Sequence, residues 1–174
     1  MKIIFLSIAF FALTIFNNSF SQDTINWRPD YKLTWKNFQG TPDSSSEFAA
    51  VTYAAITYSL DNTGYSFSTR VNCFFDKKNS WVKFKSDTLL LHEQGHFNIA
   101  EIFARKLRKA FSNYKYNSST IKQDLRILFQ QINIERSQMD SLYDQQTNFS
   151  GNTKMQEHWN KKIAQELLKL EQFR

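Results

Sequence analysis

The sequence predicts an α+β fold in which a small antiparallel sheet in the N-terminal half packs against three helices. Two observations predict it. Between positions 48 and 84, apolar residues alternate with polar ones or form short β-branched and aromatic runs, whereas after Ser86 they recur every three or four residues. Only four glycines and two prolines occur, and aromatic residues are frequent, which argues against a disordered chain.

The first 21 residues have the pattern of a cleaved signal peptide. Lys2 precedes an apolar run at 3–16 that is too short for a membrane-spanning helix, and Ser19 and Ser21 supply the small residues of a signal-peptidase site. We therefore expect a secreted or periplasmic protein without a transmembrane segment after cleavage. Residues 22–174 would then form one domain; a retained N-terminal anchor is the alternative.

Charge and cysteine content narrow the class further. The formal charge of +6 becomes +5 when Lys2 is subtracted, which favours at most weak contact with an anionic envelope surface and gives no indication of nucleic-acid binding. Cys73 is the single cysteine, so an internal disulfide is excluded.

Three segments are typical of strands. "FAAVTYAAITYSL" (48–60) and "YSFSTRVNCFF" (65–75) flank the turn "DNTG", and "SWVKF" (80–84) follows the turn "DKKN". In the second segment, one face would carry Tyr65, Phe67, Thr69, Val71, Cys73 and Phe75. Cys73 is therefore expected to pack as a small apolar residue.

Three helices are predicted after the strands. The first begins with Ser86 or Asp87 as its N-cap and ends in a basic cluster, which suits the negative end of the helix dipole. The second spans Ser119 to about Tyr143, with an apolar stripe of Ile121, Leu125, Leu128, Ile132, Met139 and Leu142. The third runs from Thr153 to near Phe173, with an apolar face of Met155, Trp159, Ile163, Leu167 and Leu170.

The segment "LLLHEQGHFNIAE" (89–101) contains two of the three histidines, four residues apart, with a glutamate directly after the first. On a helix, residues four apart point to the same side, so His92 and His96 can bind one ion. Glu93 lies between them in azimuth. This HExxH arrangement is typical of zinc hydrolases, in which two imidazoles hold zinc and the glutamate takes a proton from the metal-bound water. The sequence thus predicts a zincin-like active-site helix.

A purely structural interpretation of the histidine pair is also open. Ile99, Phe103 and Leu107 continue the stripe that the histidines begin, so the pair could be the buried end of an amphipathic face. Two buried imidazoles nevertheless require partners for their polar atoms, and a metal ion satisfies both.

The third ligand is not determined by spacing. Glu101 lies nine residues after His92, about 180° around a regular helix, so it is expected to form an ion pair with Arg105 instead. The other candidates are Asp140, Asp144 and His158. Tyr143 is a candidate proton donor to a developing oxyanion.

Five segments, "LTWKNFQGTPD", "SWVK", "LLLHEQGHFNIAEIFARKLR", "YDQQTNFSGN" and "QEHWNKKI", occur in the order seen in a family of bacterial secreted proteins of unknown function, described as predicted secreted zinc-dependent proteases. The chain resembles this family from Leu33 to about Ile163. The resemblance implies His92 and His96 as metal ligands and Glu93 as catalytic base.

The resemblance also draws attention to Tyr143, Asp144 and Thr147, which match a tyrosine-aspartate-x-x-threonine motif. We therefore take Asp144 as third ligand and Tyr143 as a catalytic residue. In the family pattern a histidine commonly stands two residues after the threonine, and here that position is Phe149.

These features predict a zinc peptidase that acts on a peptide or protein substrate. Two alternatives remain. The first is a degenerate zincin that binds metal or peptide without turnover, motivated by Phe149. The second is an envelope interaction protein that uses the basic residues Arg105, Lys106, Arg108 and Lys109.

Overall fold

The computed structural model describes residues 23–174, and its elements confirm the α+β class. The predicted signal peptide, residues 1–21, lies outside the described residues. The described chain contains the strands β1 (Thr24–Asn26), β2 (Ala50–Val51), β3 (Ala54–Asn62), β4 (Phe67–Asp76) and β5 (Trp81–Val82). These are followed by the helices α1 (Asp87–Ser112), α2 (Ile121–Thr147) and α3 (Thr153–Lys169). Within residues 23–174, none of the helices is long and apolar enough to cross a bilayer.

The strands form two antiparallel sheets. β4 lies between β1 and β3, and it pairs with β3 along the full length of that strand, from Ala54 opposite Phe75 to Asn62 opposite Phe67. β2 and β5 form a separate two-stranded sheet. The larger sheet supports the first helix, and the smaller one lies beside the N-terminal half of that helix.

The first predicted strand, residues 48–60, is divided between the two sheets. Tyr53 marks the division, because its amide donates to Ser80 Oγ at 2.9 Å and its carbonyl accepts from the Asp76 amide at 2.8 Å. The first bond lies just beyond the β2–β5 pair Val51–Trp81, and the second lies just beyond the β3–β4 pair Ala54–Phe75. The predicted third strand is also shorter than expected, since only Trp81–Val82 of residues 80–84 are paired as a strand.

The predicted alternation holds within β4, from Phe67 to Phe75. Its buried members are Val71, Cys73 and Phe75. Burial raises the pKa of the Cys73 thiol, in agreement with its expected role as an apolar residue. The prediction is wrong for Tyr65, which is 94 % exposed because it lies in the turn after Gly64 rather than in the strand.

The helix boundaries follow the predicted signals at α1 and extend beyond them at α2. The Ser86 hydroxyl caps α1 by accepting the Leu89 amide at 3.2 Å. α2 continues to Thr147, past the predicted end near Tyr143. Its apolar stripe also differs, because Leu142 is exposed and the neighbouring Tyr143 is fully buried.

α3 starts after a short turn and packs beneath α1 and α2. Asn152 caps it by accepting the Met155 amide at 3.1 Å. Trp159 and Ile163 are buried, as the apolar stripe predicts. The helix ends at Lys169, earlier than expected, and a 3-10 turn at Glu171–Phe173 continues the chain.

α1 is the central element of the core. It contacts the larger sheet on one side and α2 and α3 on the others, so most of its circumference is buried. Its fully buried apolar residues include Phe97, Ile99, Ala100, Ile102, Ala104 and Leu107. Apolar residues on nearly every side of α1 are therefore covered by other elements. The two histidines therefore belong to the most buried helix of the fold.

Gly95 permits the closest approach of α1 and α2. A Cβ atom at Gly95 would lie 2.2 Å from the Tyr143 hydroxyl and 2.6 Å from the ring carbon that bears it. Because real Cβ atoms do not approach other heavy atoms so closely, any larger residue at this position must push α2 away. The distance between the two helices therefore depends on this glycine.

We expect Gly95→Ala to destabilise the protein. Overpacking typically costs about 1–3 kcal/mol, which exceeds the gain of about 1 kcal/mol from replacing a helical glycine by alanine. Guanidinium denaturation measures the change in the free energy of unfolding. If the clash with Tyr143 is the cause, the double variant Gly95→Ala/Tyr143→Ala will lose less than the sum of the single losses. A Gly95→Ala protein as stable as the parent would contradict this account of the packing.

Candidate metal centre

Two helices bring three ligand atoms together. His92 and His96 project from α1 towards α2, and Asp144 projects back from the last turns of α2. His92 Nε2 lies 3.3 Å from His96 Nε2 and 3.0 Å from Asp144 Oδ1, and His96 Nε2 lies 2.9 Å from the same oxygen. We call these three residues the ligand triad.

The dimensions of the triad fit a small divalent cation. Zinc binds histidine nitrogen and carboxylate oxygen at about 2.0–2.1 Å, and tetrahedral geometry then separates ligand atoms by about 3.3 Å. The three separations of 3.3, 3.0 and 2.9 Å are close to that value. An ion bound by all three atoms would leave one tetrahedral position open, which is the arrangement of catalytic zinc sites.

Gln156 fixes the orientation of the His92 ring. The Gln156 amide nitrogen donates to the Tyr143 hydroxyl at 2.7 Å and to Asn160, so its oxygen faces His92 Nδ1 at 3.2 Å and can only accept. His92 must therefore carry a proton on Nδ1. In the neutral ring this leaves the lone pair on Nε2, directed into the triad.

His96 is oriented in the same way by a carboxylate. Its Nδ1 lies 2.9 Å from Asp140 Oδ1, and Arg136 Nε lies 3.2 Å from the other oxygen of Asp140. A histidine that donates Nδ1–H to a carboxylate presents its Nε2 to a metal, and such partners raise the basicity of the ligand. Asp140 thus supports the triad from outside and is not part of it.

The charges around His96 favour a cation at this place. Burial alone would lower the pKa of His96, but hydrogen bonds to Asp140 and Asp144 outweigh it and raise the pKa to about 10. For Asp144 the directions are reversed. Burial alone would raise its pKa, but hydrogen bonds from both histidines hold the pKa at about 2. The triad is therefore an anionic pocket that requires positive charge, either a proton or a metal ion.

Glu93 lies beside the triad in an unusual state. The residue is 3 % exposed, and its Oε2 has no hydrogen-bond partner within the described part of the chain. Burial raises its pKa, although the positive charges of His96 and His92 oppose the rise. A buried carboxylate oxygen without a partner is costly, so this oxygen has hydrogen-bonding capacity that the described residues leave unused.

Tyr143 supports the triad from below. Its ring stacks on His92 with 4.5 Å between centroids and 14° between planes, and its hydroxyl donates to the His92 carbonyl at 3.1 Å. The side chain is fully buried. The predicted role of Tyr143 as a proton donor to an oxyanion stays a prediction, and the contacts in the structure are those of a residue that positions His92.

A cleft of about 520 Å³ opens over the triad. One wall is the chain from Glu47 to Thr52, which includes β2, and the other is formed by α1 and α2. Phe48 and Phe149 meet across the cleft with 5.7 Å between ring centroids, and each is about half exposed. Phe149 thus contributes to the cleft wall.

The other candidate ligands lie away from the triad. His158 is exposed on α3. Glu101 is buried and forms ion pairs with Arg105 at 3.0 Å and Arg108 at 2.9 Å, as the helix geometry predicts for Arg105. Arg105 is itself only 1 % exposed, so the basic cluster on α1 does not present all of its charges to solvent.

Sequence reasoning missed two residues of the centre. Arg136 precedes Asp140 by four residues, a spacing that predicts an ion pair on a helix, and the pair is present. Gln156 lies in the "QEHW" segment, but nothing in the spacing indicates that it reaches His92, because the turn between α2 and α3 determines its position.

Comparison with known proteins places the chain in a family. A family model for a bacterial protein of unknown function, DUF922, matches residues 21–151, which are 131 of the 174 residues. The chain belongs to this family. The DUF922 match contains the whole ligand triad, Glu93 and Asp140, and ends before Gln156. Searches of curated proteins and of solved structures gave no match.

Glu101 allows a test of the structural arrangement around the centre. We expect Glu101→Gln to lower the free energy of unfolding by about 3 kcal/mol, because it removes the buried carboxylate that pairs with both Arg105 and Arg108 and leaves Arg105 with the half-exposed Glu171. Chemical denaturation measures this loss. Glu157→Gln, an exposed substitution on α3, is the control and should change stability by less than about 0.5 kcal/mol. Equal stability of the two variants would contradict a role for Glu101 in the core.

Proposed function

We propose that this protein is a zinc-dependent hydrolase, in particular a peptidase, that acts outside the cytoplasm. The observation that carries the proposal is the triangle of His92 Nε2, His96 Nε2 and Asp144 Oδ1, whose sides are 3.3, 3.0 and 2.9 Å. Two neutral imidazoles and one carboxylate form a donor set that zinc favours in hydrolytic sites. The extracytoplasmic location rests on the signal-peptide pattern of residues 1–21.

The chain's own residues divide the work of hydrolysis. His92, His96 and Asp144 would hold the ion, which would act as a Lewis acid on a substrate carbonyl and lower the pKa of a coordinated water to about 7. Gln156 and Asp140 fix the two rings in the binding orientation. Their role is to keep the donor set arranged before any ligand arrives.

Glu93 is the proposed general base. It follows His92 directly and lines the same cleft as the triad. Its raised pKa makes the carboxylate a better proton acceptor than an exposed glutamate. In hydrolysis it would take a proton from the attacking water and deliver it to the leaving amine. The hydrogen-bonding capacity of Oε2, unused by the described residues, is available for that water.

An extended peptide suits the cleft because one wall is a strand with a free edge. The Lys83 amide donates to the Ala49 carbonyl, and Val51 stands opposite Trp81, so the backbone groups of Ala49 and Val51 face β5. Those of Ala50 then face the opposite side, where no strand of the described chain pairs with β2. A peptide could add to this edge through main-chain hydrogen bonds.

A protein that binds metal and peptide without turnover is the second candidate. The observation that favours it is Phe149, which packs against Phe48 in the cleft wall, where the family resemblance implies a histidine. If such a histidine stabilises the transition state in relatives, this chain would still bind metal and peptide but would hydrolyse the peptide more slowly.

Metal content tests the proposed centre. We expect the purified protein to bind about one equivalent of zinc, as measured by elemental analysis after dialysis. His92→Ala, His96→Ala and Asp144→Asn should each remove most of it, since each deletes a ligand. His158→Ala, which changes an exposed histidine outside the triad, should retain it. Zinc binding that persists in the triad variants, or its absence in the parent at micromolar zinc, would reject the centre.

Glu93→Gln separates catalysis from binding. We expect this variant to keep its zinc and its fold but to lose peptide hydrolysis by about 10²–10⁴-fold, because the amide cannot accept a proton. The increase in fluorescence of a quenched peptide library gives the rate, and mass spectrometry identifies the cleaved bonds. Activity that survives Glu93→Gln would reject the peptidase mechanism. A parent that binds zinc and peptides but cleaves none would favour the second candidate.

A further inference from the structure

We propose that Arg136 forms a carboxylate-binding subsite in the cleft, so that the preferred substrates are peptides cleaved next to a free C-terminal carboxylate. This inference deepens the proposed peptidase function and depends on it for the reaction. The subsite itself depends only on Arg136 and its surroundings, so the two can be tested separately.

Arg136 lines the cleft and has hydrogen-bond donors that the described residues leave unused. Its side chain is 17 % exposed. Nε is buried and lies 3.2 Å from Asp140 Oδ2, yet the geometry falls short of a hydrogen bond. The two terminal nitrogens form no hydrogen bond with an acceptor among the described residues. A planar guanidinium with free terminal donors is the side chain best suited to a bidentate carboxylate.

The position of Arg136 selects a terminal carboxylate over the reacting carbonyl. Its guanidinium is separated from the triad by Asp140, which contacts Arg136 through one oxygen and His96 through the other. Asp140 therefore keeps the guanidinium out of the ligand sphere. A group bound by Arg136 lies further from the triad than the scissile bond, which is where the C-terminal carboxylate of the leaving residue would be found.

The remainder of the cleft fits the residue that carries this carboxylate. Leu89, Phe48 and Phe149 line the same cleft and provide an apolar wall for a side chain. The aromatic pair leaves both rings about half exposed, so they can contact a ligand without rearranging the core. An apolar or aromatic C-terminal residue therefore matches the cleft better than a charged one.

The negative charges of the other acidic groups in the cleft do not prevent Arg136 from binding a carboxylate. Asp144 faces the two histidines, and Asp140 is shared between His96 and Arg136. Glu93 is buried beside the triad, and Glu47 is exposed at the rim, where water screens its charge. Among the cleft-lining residues, Arg136 is therefore the cation whose donors are not committed to the ligand triad.

A matched pair of peptides tests the subsite. Acetyl-Ala-Ala-Phe with a free carboxylate and the same peptide as its amide are titrated into zinc-loaded Glu93→Gln protein, which binds without turnover. Isothermal titration calorimetry gives the two dissociation constants, and elemental analysis gives the zinc content of each sample. We expect the acid to bind at least about tenfold more tightly than the amide, as a bidentate charged pair allows.

Variants of Arg136 test whether this residue causes the preference for the acid over the amide. Arg136→Met in the same background should bring the acid-to-amide ratio close to one, and Arg136→Lys should keep part of the preference because it retains the charge but not the planar fork. Arg126→Met, an exposed arginine on the same helix, is the matched control and should leave the ratio unchanged. Arg136→Lys also serves where Arg136→Met fails to fold, as judged by its thermal melting curve.

The outcomes separate the two proposals. The subsite is overturned if the Glu93→Gln protein binds acid and amide equally, if the preference is undiminished in the Arg136 variants, or if neither peptide binds at millimolar concentration. A preference that depends on Arg136 in protein that holds no zinc supports the subsite and rejects the metal centre. Zinc binding with no carboxylate preference supports the metal centre and overturns the subsite.

Discussion

The close contact between α1 and α2 at Gly95 is the constraint on which the centre depends. Because this residue has no Cβ, the ring of Tyr143 can lie directly against α1 and stack on His92. One turn of helix then brings Asp140 and Asp144 to the two imidazoles, at opposite sides of His96. A wider spacing of the helices would separate both histidines from their aspartate partners on α2, and the loss is costly at the buried His92.

The same contact explains why so many polar groups are buried together. His92, Thr147 and Gln156 are each almost inaccessible, and each has a partner within the cluster. Such a network stabilises a fold only when its members are satisfied. Arg136 Nε and Glu93 Oε2 are the exceptions among the described side chains near the triad. The Glu93 oxygen belongs to a residue that lines the cleft where hydrolysis is proposed. The unsatisfied group therefore coincides with the position at which the proposed chemistry requires an acceptor.

The sequence predicted those features that depend on local periodicity. The three helices, the alternation in β4 and the HExxH pair on one helix face all follow from residue spacing, and so does the exclusion of Glu101 from the triad. The third ligand did not follow, because residues 92 and 144 meet only through the crossing of two long helices. Gln156 was missed for the same reason, and the split of residues 48–60 was missed because it results from the bonds of Tyr53 to residues far along the chain.

The place of Phe149 can be understood from the same geometry. Phe149 lies between α2 and α3 in a turn where three successive non-glycine residues, Asn148–Ser150, have positive φ. This turn sets the start of α3, and therefore the position of Gln156 under His92. The triad closes through Asp144 without any contribution from position 149. The side chain at position 149 therefore lines the cleft and does not complete the triangle, so Phe149 bears on substrate binding in the proposed function and leaves the ligand set intact.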